Sequence, residues 1–152
     1  MQYAGEMPPN VKQVVPFLHV SNMERSLTYY LDGLGFVMKN SWEVKGKIRW
    51  CWLELGGAAL MLQLFIKEGH ESWVAAGKVA EALSICFQCE DALAIYHEVR
   101  SRGIEAQEPF VGNGLWVTSV TDPDGFRLYF ESPTDTPEET KLSEVSGGLP
   151  VP

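Results

Sequence analysis

The sequence predicts an α+β fold built from two tandem βαβββ modules, and three observations carry that prediction. One order of elements, strand, helix and three strands, occurs twice, over residues 14–66 and 82–131. The spacing inside the copies agrees: Asn22 to Gly35 is thirteen residues, and Asp91 to Gly103 is twelve. The composition of the 152 residues, 45% hydrophobic and 21% charged, is that of a domain able to bury its own core. Self-similarity at a fixed spacing is the most informative of the three.

In the first copy, Val14 to Val20 reads as a strand. Asn22 is placed to cap a helix from Met23 to about Leu31, with Leu27, Tyr30 and Leu31 on one apolar face. Gly33-Leu34-Gly35-Phe36 closes that helix. Strands are expected at Phe36 to Val44, Ile48 to Leu55 and Ala58 to Ile66, with Gly46 and Gly56-Gly57 at the turns. In the second copy, Leu83 to Cys89 is a strand and Asp91 caps a helix from Ala92 to about Ser101. Three strands follow: Ile104 to Ala106, Leu115 to Thr121, and Phe126 to Glu131. The last two are joined by the turn Asp122-Pro123-Asp124-Gly125; both aspartates are read as turn residues with no catalytic part.

Residues 1–13 form an N-terminal arm and 67–81 a connector whose Trp73 is a candidate cover; 132–152 form an acidic, flexible tail with one helical turn near Glu138 to Leu142. Of the net charge of −8, the tail accounts for −3, so the body is itself acidic. That excludes a nucleic-acid partner, which calls for basic patches. No run approaches the ~20 apolar residues of a membrane helix. The opening MQYAGEMPPN lacks the basic and apolar regions of a signal peptide, so a cytoplasmic location is expected. Three cysteines, an odd number, suit a reducing compartment. Cys86 and Cys89 lie three apart on a strand and so point to opposite faces. All three are expected as buried structural thiols. His70 and His97 are expected at the surface.

The repeat, the opening segment Val15-Pro-Phe-Leu-His-Val-Ser-Asn22, the turn Gly33-Leu-Gly-Phe36 and Asp122-Pro-Asp-Gly125 together resemble the vicinal oxygen chelate superfamily. That group contains glyoxalase I, extradiol dioxygenases, and fosfomycin- and bleomycin-resistance proteins. The resemblance covers residues 14–131. It implies curved sheets around a cavity with the helices outside, often completed by a second subunit, and hence a homodimer. Enzymes of the group hold a divalent metal with His, Glu or Gln at four positions. Carried over one at a time, those positions fall on Val15, Gln63, Ser84 and Tyr129. Valine cannot bind a metal, and neutral serine and tyrosine are poor ligands, so neither a metal nor another cofactor is expected.

What remains is a cavity able to bind. Its expected lining is Phe17, His19, Trp50, Trp52, Met61, Gln63, Gln88, Trp116, Tyr129 and Glu131. Trp50 and Trp52 share a strand face, and flat aromatic surfaces in an acidic protein suit a planar or cationic organic molecule. The reading is a metal-free small-molecule-binding protein of the bleomycin-resistance kind, with no catalytic residue. Two alternatives stand beside it. One is a glyoxalase-like lyase or isomerase, or a dioxygenase-related enzyme. It would use a relocated metal on His19, Gln63 and Glu131, or a metal-free reaction with Tyr129, Glu131 or His19 as acid or base. The other is a structural module whose cavity is filled by its own side chains.

Overall fold

The computed structural model describes residues 10–64 and 82–148. Ile66, the connector with Trp73 and His70, and the first nine residues of the arm lie outside them. The first module runs β1 (Phe17–Val20), α1 (Met23–Leu27) with a continuing π-helical stretch (Thr28–Gly33), β2 (Val37–Val44), β3 (Lys47–Leu55) and β4 (Ala58–Leu64). The second runs β5 (Ser84–Gln88), α2 (Ala92–Ser101), β6 (Phe110–Gly112), β7 (Leu115–Thr121) and β8 (Arg127–Pro133). Each module makes one four-stranded sheet, ordered β1-β4-β3-β2 and β5-β8-β7-β6. The outer pairs β1–β4 and β5–β8 are parallel, and the rest are antiparallel.

The two helices begin alike. Asn22 and Asp91 are both extended and both accept a hydrogen bond 3.0 Å long from the backbone three residues on, at Arg25 N and Ala94 N. Each satisfies one otherwise orphaned donor of the first turn. Asp91→Ala is therefore expected to cost about 1 kcal/mol, measured as a lower denaturation midpoint at unchanged slope.

The helices also end alike, at Gly35 (φ 88°) and Gly103 (φ 83°), in a conformation that favours glycine. Phe36 N reaches back to Tyr30 O, while Ile104 N reaches back to Val99 O. The first bond spans one residue more. The π-helical stretch absorbs it, and that is why one copy counts thirteen residues and the other twelve.

One core runs through both modules, gathering Leu18, Val20, Tyr30, Leu53, Leu60 and Leu62 with Phe87, Leu128 and Phe130. Its aromatic spine crosses the boundary. Phe36 meets Phe87 edge-on at 6.0 Å, and Phe87 stacks on Phe130 at 4.9 Å. The Asp122–Gly125 turn closes the same junction. Tyr30 OH donates to Asp122 Oδ2 at 2.7 Å, and Ser21 donates to Asp124 Oδ1 from its backbone at 3.2 Å and its hydroxyl at 2.6 Å. The aspartates thus shape a turn and also tie one module to the other.

Several expectations need correction. Residues 104–106 form no strand; the second strand of the second module is Phe110–Gly112. Pro109 has no N–H to give a ladder, and before it Gln107 N to Ser119 O, at 3.2 Å, ties the segment to β7. Asn113 and Gly114, both at positive φ, then turn the chain into β7. Residues 132–145, expected as a tail, begin inside β8 and dock on the second sheet. Ser132 Oγ accepts from Ala92 N at the start of α2. Val111 exchanges backbone bonds with Glu139 and Thr140, and Leu142 is buried in a second cluster with Ala92, Tyr96, Val111 and Trp116. The helical turn expected at 138–142 comes later, as a 3₁₀ segment over Leu142–Gly148. His97 is half-buried against Tyr96 rather than at the surface.

Candidate functional site

Strand parity divides each sheet into a core face and an open face. In the first sheet Leu18, Val20, Cys51, Leu53, Leu60 and Leu62 are all at most 3% exposed, which leaves the alternate residues outside. Residues directly opposite across a sheet share a face. One row therefore reads Phe17–Met61–Trp52–Asn40, and the next His19–Gln63–Trp50–Trp42. At about 4.8 Å between strands, each row spans roughly 14 Å. Phe17 is 49% and Trp42 56% exposed, so this aromatic surface is not packed into the core. Phe17 and His19 meet edge-on at 5.2 Å, and Trp52 Nε1 donates to Glu54 Oε2 at 2.8 Å.

The corresponding face of the second sheet is polar. Its rows read Ser84–Arg127–Thr121, Cys86–Tyr129–Ser119 and Gln88–Glu131–Val117. Gln88 Nε2 donates to Glu131 Oε1 at 2.8 Å. Cys86 is exposed here, contrary to the expectation of a buried thiol, because β5 turns Phe87 and not Cys86 to the core. Burial pushes its pKa up, and the Glu131 carboxylate beside it adds to the shift. Cys89 is half-buried, its thiol also shifted upward by burial. Cys51 is fully buried, and burial raises it to about 11.

Six of the ten expected site residues, Phe17, His19, Trp50, Trp52, Met61 and Gln63, thus share the open face of the first sheet. Gln88, Tyr129 and Glu131 share that of the second. Trp116 belongs to neither. It is 7% exposed and lies on the opposite face of β7, in the cluster under α2 with Ala92 and Tyr96. Sequence reasoning missed Trp42, which register places directly opposite Trp50.

The register also relocates one inherited metal position. Phe17 and Cys86 each stand five residues before their helix caps; their partners are Met61 and Tyr129. The counterpart of Tyr129 is therefore Met61, not Gln63. The four positions become Val15, Met61, Ser84 and Tyr129, whose thioether and neutral hydroxyls do not fit a divalent metal. Among the described residues no three His, Cys, Asp or Glu side chains form a metal-binding group elsewhere.

Residues 11–130 match the model of the Glyoxalase/Bleomycin resistance protein/Dioxygenase superfamily. No curated protein matches the chain in sequence. Solved structures do resemble it. A bleomycin-binding protein complexed with bleomycin is 21% identical with a TM-score of 0.58, over 82% of this chain and 100% of that one. TnmS3, an antibiotic binding protein from Streptomyces sp. CB03234, is 18% identical with a TM-score of 0.60, over 84% and 100%. A glyoxalase-related enzyme from Clostridium phytofermentans is 16% identical with a TM-score of 0.62, over 85% and 100%. With its repeated module, its two open sheets and a family match over most of its length, the chain belongs to the glyoxalase/bleomycin resistance/dioxygenase superfamily.

Proposed function

We propose that this protein binds and sequesters a planar or cationic organic molecule, without a metal, on the open face of its first sheet. The observation that carries the reading is the Trp42, Trp50 and Trp52 surface with Phe17 and Met61 beside it, left out of the core. Burying these rings against a flat ligand gains apolar area, and their faces attract a cation in a protein of net charge −8. Binding of bleomycin and of antibiotics by structural neighbours supports the same reading. The polar second face, brought up by another copy of the chain, supplies Gln88, Tyr129 and Glu131 to a ligand's hydrogen-bonding edge. We place the resulting homodimer in the cytoplasm, where free thiols stay reduced.

Titration with bleomycin and with the planar cation proflavine, followed by tryptophan fluorescence, tests this. A saturable change is expected, with Trp50→Ala weakening it by about tenfold, the loss of one stacking contact. No response to either compound would remove the reading. The enzymatic alternative makes the opposite forecast: stoichiometric divalent metal in the purified protein, lost in His19→Ala.

A further inference from the structure

The internal repeat makes two inter-module junctions equivalent, and the described residues fill only one of them. At the first, the β7–β8 turn of the second module seats against the end of β1 and the start of α1. There Asp124 accepts from Ser21 and from Ser26 Oγ, and Asp122 accepts from Tyr30. At the second, the β3–β4 turn of the first module faces the end of β5. Leu55, Gly56, Gly57 and Ala58 stand there across from Cys86, Phe87, Gln88 and Cys89, around a cavity of about 580 Å³.

Two differences leave that space open. The β3–β4 turn is one residue shorter, with four residues between the paired Glu54 and Ala59 against five between Thr121 and Arg127. It also carries glycines where the other carries aspartates and proline, and a Cβ on Gly56 or Gly57 meets nothing within 4 Å. The chemistry of the junction changes with its volume. Counted from the two helix caps, Ser26 and Tyr30 correspond to Ile95 and Val99, so the hydroxyls that received the carboxylates are replaced by aliphatic side chains.

We infer that this second junction is a binding site for an uncharged, apolar ring compound. Its volume lies within the roughly 300–1,000 Å³ of small-molecule pockets. Leu55, Ala58, Phe87 and the two thiols offer apolar, polarizable walls. Among the described residues no basic side chain lines it to receive an anion, and the Gln88 amide at its edge is already bonded to Glu131. The site uses none of the tryptophans, and shares only Cys86 and Gln88 with the open face of the second sheet.

The test uses the full chain and the neutral two-ring probe N-phenyl-1-naphthylamine. Probe fluorescence should rise to saturation, and saturating probe should slow alkylation of Cys86 by N-ethylmaleimide severalfold, read by peptide mass. Gly57→Leu, whose side chain grows into the open space, should weaken the probe by about tenfold or more. The sulfonated analogue 1-anilinonaphthalene-8-sulfonate should bind far less well. An unchanged Cys86 alkylation rate at saturating probe overturns the proposal, and decides the matter alone if Gly57→Leu does not fold. Equal binding of the sulfonate overturns it too. So does a probe signal kept by folded Gly57→Leu but lost in Trp50→Ala, because that puts the probe on the tryptophan face.

Discussion

Phe130→Ala is expected to destabilise the protein by about 3–5 kcal/mol, enough to consume much of a small domain's stability. The ring is 2% exposed, and removing it leaves a void that its neighbours fill only in part. Phe130 stacks on Phe87 at 4.9 Å, and Phe87 in turn meets Phe36 of the first module. The void therefore opens in the spine joining the two copies. Phe130→Leu, which keeps most of the volume, should cost markedly less. Urea unfolding followed by both far-ultraviolet circular dichroism and tryptophan fluorescence measures the loss. In a background carrying Trp73→Phe and Trp116→Phe, the remaining tryptophans at 42, 50 and 52 report on the first sheet, so coincident shifts in both signals show that damage in the second module is felt in the first. Separate transitions would mean that the modules unfold independently and the spine is not a shared core.

Where the chain states its geometry locally, the fold is legible in it. Asn22 and Asp91 read as caps and are caps, because a short polar side chain beside an apolar period satisfies the first turn wherever it occurs. The local signal for β6 is Asn113-Gly114, a strong short-range hairpin sequence that requires strands on both sides of it. Trp116 could not be assigned to a face from the sequence, because Leu115 to Thr121 is apolar on both parities. Pairing with Ser132 across β7–β8 decides its side. Gln63 is the one metal-ligating side chain in Leu60-Met61-Leu62-Gln63, but register to β1 puts the position at Met61. The docking of 132–145 is hidden by composition, since its apolar anchors are few, Leu142 and Val145, while Ser132 and backbone bonds to Val111, Pro109 and Gly114 supply the rest. The open face was legible in part: parity pairs Trp50 with Trp52, but only cross-strand register adds Trp42 to them.

Asp122→Ala is expected to cost about 3 kcal/mol, and the wild-type carboxyl itself should write a slope into stability against pH. Asp122 is 4% exposed. Its Oδ1 accepts from the backbone N–H of Asp124 and Phe126 at 2.9 and 2.8 Å, and its Oδ2 accepts from Tyr30 OH at 2.7 Å. Alanine leaves three buried donors without that partner, one of them on the other module. Burial pushes the Asp122 pKa up, and the neighbouring Asp124 carboxylate adds to it; the three hydrogen bonds offset only part of the shift. The folded protein therefore holds the proton to higher pH than the unfolded chain does. The contribution is fully present below the ordinary carboxylate range and is lost as pH rises through the raised value, since the unfolded state binds fewer protons there. The same burial, with Asp122 beside it, pushes the Tyr30 hydroxyl well above its ordinary range, so Tyr30 stays a donor throughout. Asp122→Asn keeps an oxygen for the turn and carries no charge at any pH. Compared with the wild type from acid to neutral pH by thermal unfolding, it should lack this downward component while losing less stability than the alanine variant. A difference between the wild-type and Asn curves that stays constant with pH would show that the bonds to Asp122 balance its desolvation, and one that moves in the wild type's favour as pH rises would show that they outweigh it.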